Sequence, residues 1–157
     1  MRRTFCLSLV ISAALLAASS LVAQSSDPLV ATWTVNMAQS KYDPGPAPKS
    51  LTMTVTADER GYTITQDQVA ADGQESHAVI LMKPDGKEYS VEAPVPTTVT
   101  STRINARTYE RVTRVNGIVT TTSRTVISRD GKTRTTTTTG TDTQGRPVHD
   151  LIVYDRQ

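Results

Sequence analysis

The chain has 157 residues, with 17 Lys/Arg against 15 Asp/Glu, a formal net charge of +2, one tryptophan, one phenylalanine, five tyrosines and one cysteine. A lone cysteine excludes a disulfide framework and a thiolate metal cluster. A charge so near neutral, with so few aromatics, excludes a nucleic-acid binder, which needs a basic surface and stacking rings.

The N-terminus has the three parts of a signal peptide. Arg2 and Arg3 supply the positive region, Cys6 to Ala18 the apolar stretch, and Ala18, Ser19, Ser20 and Ala23 the small-residue region. The apolar stretch falls short of the roughly 18 residues that read as a transmembrane helix. Residues 1–23 are therefore expected to be removed as a signal peptide. Residues 24–157 are left as one exported, cysteine-free domain, periplasmic or extracellular, with no membrane insertion. Within that domain, residues 24–100 carry 5 Lys/Arg against 10 Asp/Glu, and residues 101–157 carry 10 against 5. The two halves are expected to attract each other across the fold.

From Leu29 to Met37 the chain alternates strictly, with Leu29, Ala31, Trp33, Val35 and Met37 on one side, as in a strand with one buried face. Pro44, Pro46 and Pro48 then exclude a helix and a central strand, predicting a rigid extended loop, either over a barrel mouth or a plain connector. Leu51 to Ala57 alternates again and Asp58-Glu59-Arg60-Gly61 turns the chain into Tyr62 to Val69. Asp72-Gly73 turns it again into His77 to Met82. The unbroken Ala-Val-Ile-Leu-Met run there predicts a strand buried on both sides. Pro84-Asp85-Gly86 precedes Lys87 to Glu92, and Pro94 and Pro96 mark the next break.

Five further strands follow: Thr97 to Asn105, Arg107 to Val115, Ile118 to Ser128, Lys132 to Thr139 and Val148 to Arg156. Asn116-Gly117 and Asp130-Gly131 are strong hairpin signals, because both central residues accept positive φ. The threonine run Thr135 to Thr139 has the composition of a glycosylated stalk, but no proline lies between Pro96 and Pro147, and threonine forms strands well. Sequential hairpins hide their sheet edges by closing. The expected fold is all-β, one antiparallel up-and-down barrel of about eight to ten strands.

Ala31-Thr32-Trp33-Thr34-Val35-Asn36, with Lys41-Tyr42-Asp43-Pro44-Gly45-Pro46-Ala47-Pro48, resembles the start of a large group of uncharacterised exported bacterial proteins with a lipocalin-like, calycin-type domain. Ser128 to Thr133, Gly140 to Val148 and the closing Val153-Tyr154-Asp155-Arg156-Gln157 resemble its end. Calycins carry Gly-x-Trp on the first strand and a basic residue on the last. The resemblance therefore implies that Trp33 and Arg156 plug one barrel end, although Ala31 stands where the glycine would be. It also implies a barrel of the lipocalin and fatty-acid-binding-protein kind. A helical lid between the first two strands is missing, however, and so is the arginine of an Arg-x-Tyr pair ahead of Tyr154.

No nucleophile elbow, phosphate loop, dinucleotide fingerprint or metal-ligand spacing is present, so neither cofactor nor metal is expected, nor an enzyme. His77 and His149 read as ordinary strand residues. Arg103 shares a side with Val99 and Ser101, Arg111 with Tyr109 and Val115, and Arg124 with Ile118 and Val126. Turned inward, they would need carboxylates or an anionic ligand; turned outward, they would pair with Glu110 or Asp142. The leading expectation is a cavity that binds a small, partly apolar ligand, anionic where arginine faces it. Trp33 lies at its floor, Tyr62, Tyr89 and Tyr109 on its walls, and Arg111 or Arg124 points inward. The alternative is an envelope protein-interaction module. A lipocalin-like isomerase or cyclase ranks last because no acid-base cluster is visible.

Overall fold

The alternating segments fold as ten strands in a computed structural model that describes residues 27–157. They are β1 (Ala31–Val35), β2 (Ser50–Asp58), β3 (Gly61–Val69), β4 (Glu75–Met82), β5 (Asp85–Val91), β6 (Thr97–Asn105), β7 (Thr108–Val115), β8 (Ile118–Ile127), β9 (Thr133–Thr141) and β10 (Pro147–Arg156). The leader read over residues 1–23 lies outside the described residues. All pairings are antiparallel, and β1 pairs with β10, so the sheet runs β4-β3-β2-β1-β10-β9-β8-β7-β6-β5. The sheet curls into a barrel wall whose one open seam lies between β4 and β5, neighbours in sequence that share no ladder. At the β7–β8 hairpin both Asn116 (φ 51°) and Gly117 (φ 78°) take the left-handed conformation that the dipeptide makes accessible.

Cross-strand partners share a face of the sheet. Following the ladders from Trp33 therefore separates inside from outside. The inner row passes from Trp33 to Met53 on β2, while Val55 faces Ile64 on β3 and Ile64 faces Ile80 on β4. Leu29, Trp33, Val35, Leu51, Met53, Val55, Tyr62, Ile64, Tyr109, Ile127 and Tyr154 form one buried core. Each large apolar side chain so buried contributes about 1.5–3 kcal/mol. The outer side of β4 is not covered. Val79 is 63% and Leu81 51% exposed, so the apolar run is an edge strand buried on one side only. That corrects the expectation of burial on both sides.

The proline-rich segment has two parts. Its first extends the β1–β10 ladder: the Asn36 amide donates to the Val153 carbonyl (2.7 Å), Lys41 and Leu151 exchange bonds (2.7 and 2.9 Å), and the His149 amide donates to the Asp43 carbonyl (2.6 Å). Ser40 Oγ fills the interruption, accepting from the Val153 amide (3.0 Å) and donating to the Asn36 carbonyl (2.8 Å). The second part, which lacks amide donors at each proline, leaves the ladder. Pro46 and Pro48 line a groove with Tyr42, Leu51, Ala70, Ala71, Ile152 and Tyr154 at the barrel end away from Trp33.

Candidate ligand cavity

The Trp33 end is closed and internally satisfied. The buried indole donates from Nε1 to the Leu29 carbonyl (2.9 Å), and the Arg156 guanidinium lies 5.6 Å from its ring centre. Arg156 is held by the carbonyls of Val30 (2.9 Å) and Gly131 (3.3 Å). Beside this pair, Asp27 accepts from the Tyr62 hydroxyl (2.5 Å), the Leu29 amide (3.0 Å) and the Tyr109 hydroxyl (3.2 Å), and it pairs with Arg103 at 3.0 Å. Burial alone would raise the Asp27 carboxyl, but these donors and the Arg103 charge outweigh it and hold the carboxyl below its ordinary value. Burial pushes the Tyr62 and Tyr109 hydroxyls up. Their rings meet edge to face, centres 6.1 Å apart.

Tyr62 and Tyr109 are thus part of the floor, not of a ligand-facing wall. Their hydroxyls are drawn into the Asp27 cluster and their rings are buried. Arg103, on the side of Val99 and Ser101, which the sequence left open as inward or outward, is taken by the same carboxylate.

The open seam contains a cavity of about 160 Å³. Ile80 and Met82 of β4, Tyr89 and Val91 of β5, Val99 and Ser101 of β6, and Arg111 of β7 line it. Tyr89 therefore stands on a wall, its hydroxyl tied to Asp85 (2.7 Å) and its ring 5.3 Å from Lys83 Nζ. Arg111 is the buried cation of this cavity, which Lys83 also lines. Its Nε is buried with no hydrogen-bond partner among the described residues, and desolvation lowers its pKa.

Arg124 is the one arginine of the expected site that the fold turns away. Glu110 and Arg124 face each other across β7 and β8 on the row next to Arg111 and Ser123, and alternation puts successive rows on opposite faces. Arg124 pairs with Glu110 on the outer surface. Val126, on its side of β8, is exposed, and the register shift between Thr113 and Arg114 puts Ile118 opposite Val115 on the other face, so alternation alone misassigned it.

A second inward cation was passed over. Arg134 faces Tyr154 across β9 and β10, with its guanidinium 5.2 Å from the ring centre and Nη1 3.6 Å from Met53 Sδ. Its Nε is likewise buried without a partner among the described residues, and burial lowers its pKa. The Asp130-Gly131 turn was the available signal. It puts Arg134 in step with Thr136 and Thr138, opposite Tyr154, Ile152 and Asp150. Between the two arginines run inward hydroxyls paired across strands, Ser123 with Thr138 (2.9 Å) and Thr125 with Thr136 (3.0 Å). Tyr42, at the mouth groove, has a buried hydroxyl without a partner, and burial pushes it up to about 12.

Among solved structures, zebrafish ileal bile acid-binding protein, complexed with cholic acid, matches with a TM-score of 0.51 over 83% of this chain and 99% of that one, at 13% identity. The likeness is one of fold, an antiparallel β-barrel. No protein-family model matches the chain, and no curated protein does. The likeness carries the barrel and its strand order; the interior described above is this chain's own.

Proposed function

We propose that this protein is an exported binding protein that holds a small, partly apolar, anionic ligand inside its barrel and performs no chemistry on it. The observation that carries this reading is the seam cavity, where six apolar or aromatic residues surround two serines, Lys83 and a guanidinium whose buried Nε has no partner among the described residues. Such a mixture, apolar walls with a few placed polar and cationic groups, is what a pocket for an amphipathic molecule requires. Arg111 supplies a bidentate donor for a carboxylate or similar oxyanion. Tyr89, Ile80 and Met82 take the apolar part. The solved structure complexed with cholic acid is consistent with this use of the fold. The Asp27 cluster does not favour an enzyme, since its carboxylate is already surrounded by donors and its tyrosines are buried. The signal-peptide pattern of residues 1–23 and the resemblance to exported bacterial proteins support a location outside the cytoplasm.

Native mass spectrometry with organic extraction, on protein purified from its own host, tests the proposal. A recurring bound small acid is expected, lost in Arg111→Gln. A chain that stays free of ligand and shows no affinity for amphipathic acids would overturn it. Weight would then pass to the interaction-module reading, for which the exposed Val79 and Leu81 on edge strand β4 are the favouring observation.

A further inference from the structure

Three buried side-chain polar atoms lack a hydrogen-bond partner among the described residues: Arg111 Nε, Arg134 Nε and the Tyr42 hydroxyl. Leaving a buried donor unsatisfied is unfavourable, more so for a charged group. Their places form a pattern. Arg111 lies in the seam cavity. Tyr42 lines the mouth groove of about 540 Å³ together with Tyr154, and Arg134 stacks on Tyr154. The two guanidiniums stand on β7 and β9, two strands apart. Through the pair Ser123–Thr138, they are also four residues out of step. With strands about 4.8 Å apart and about 3.3 Å per residue, their Cα atoms are roughly 16 Å apart along the wall.

No carboxylate among the described residues forms an ion pair with either arginine, whereas Arg103, Arg114, Arg124 and Arg146 each have one. The wall between the two cations carries the paired hydroxyls of Ser123, Thr125, Thr136 and Thr138, and β2 and β3 contribute apolar Met53 and Ile64 to the same interior. We propose that the interior takes one elongated ligand with an anionic group at each end, a dicarboxylate or its like, one end on Arg111 and the other on Arg134 with Tyr42. The inference rests on the cavity reading above and goes further by naming a two-ended ligand. An apolar spine would lie against Met53 and Ile64, and both charges would be neutralised by one molecule. A single-headed acid satisfies one guanidinium and leaves the other's Nε without an acceptor among the described residues.

The probes are α,ω-dicarboxylates of increasing length and straight-chain monocarboxylates of matched length, titrated calorimetrically into the mature chain. Diacids are expected to bind more tightly than matched monoacids, with an optimum at one length. Arg111→Gln and Arg134→Gln are each expected to weaken the best diacid about ten- to a hundred-fold, the loss of one charge-assisted bond. Arginine Nε–H NMR resonances of the unmutated chain give the same answer without a variant. The diacid should shift both resonances, a monoacid one. Equal binding of mono- and diacids at every length, with the Arg134 resonance unmoved, overturns the two-ended site and leaves the single-cavity reading standing. Silence of both series overturns it too, and the co-purified ligand then decides the cavity reading alone.

Discussion

The inner wall of this barrel has two halves made by the same alternation and filled with different chemistry. Along β1 to β4, the inward side chains are Trp33, Val35, Leu51, Met53, Val55, Ile64, Ile80 and Met82. Along β6 to β9 the same face carries Val99, Tyr109 and Ile127 but is otherwise polar: Ser101, Arg111, Thr113, Thr121, Ser123, Thr125, Arg134, Thr136 and Thr138. The first half removes apolar area from water; the second exchanges hydroxyl–water bonds for hydroxyl–hydroxyl bonds, with little net gain. Stability is therefore concentrated in β1 to β4 and the floor, and recognition in β6 to β9. A substitution should report which half it falls in by which property it changes.

The sharpest contrast uses Trp33. It is fully buried, hydrogen-bonded to Leu29 and covered by Arg156, so Trp33→Ala should cost about 3–5 kcal/mol in chemical denaturation. The paired change Thr125→Val with Thr136→Val removes both partners of one bond at nearly constant shape and should cost under about 1 kcal/mol. Comparable losses would mean that the polar half carries structure after all, and the division would fail.

One position in the polar half breaks that tolerance. Gly140 has φ +142°, and a Cβ there would come 2.0 Å from the Thr120 carbonyl oxygen and 2.8 Å from the Thr121 Cα. The register between β7 and β8 shifts between Thr113 and Arg114, bringing the Thr120 backbone against β9. Backbone cannot move aside as a flexible side chain can. Strain alone should make Gly140→Ala cost about 1–3 kcal/mol, and the clash adds to it, read as a fall in melting temperature. A variant as stable as the parent would show that the close approach is not kept in solution.

The division also marks what could be read from sequence. All ten strands, and most of their turns, follow from alternation, an apolar run, prolines and Gly-containing dipeptides, because those signals are local. Facing directions on β1 to β3 were legible too, since the apolar residues there occupy one parity only. On β7 to β9 threonine occupies both parities, so periodicity says nothing about which side is inward. Arg124 and Arg111 could not be told apart until the ladder paired one with Glu110 and the other with Ser123. Arg134 was hidden in the same way by the threonines after it. The Asp27 cluster joins residues that are 35 and 82 positions apart, which no spacing argument reaches.

The floor offers a subtler probe than either wall, through pH. The Asp27 carboxyl is held below its ordinary 3.8 in the folded chain, so it favours the folded state above the usual carboxylate range. That contribution disappears as pH falls through the lowered value, when protonation breaks the ion pair with Arg103. Stability measured down through this acid window should fall more steeply for the parent than for Asp27→Asn. At the other extreme, the Tyr42 hydroxyl is raised from 10.0 to about 12, so the unfolded chain ionises first. Stability should decline as pH rises through that interval, and Tyr42→Phe should flatten the decline. Profiles unchanged by either substitution would remove both groups from the account.

The smallest effect should come from Arg124, and its smallness is informative. Arg111 and Arg124 are both β-strand arginines in neighbouring rows, yet the outer pair Arg124–Glu110 has side chains 53% and 39% exposed. An exposed pair exchanges two hydrated charges for one screened contact and holds two long side chains still, so its net worth is about 0–1 kcal/mol. Arg124→Ala should therefore leave denaturation within about 0.5 kcal/mol and leave ligand affinity unchanged, because nothing on its side of β8 reaches the cavity. Arg111→Ala removes a charge that has no partner to lose inside the protein, so the empty chain should be as stable as before or more so, while ligand binding collapses. A loss of binding in Arg124→Ala would put the recognition surface outside the barrel, and the contrast between the two inner halves would then concern packing alone.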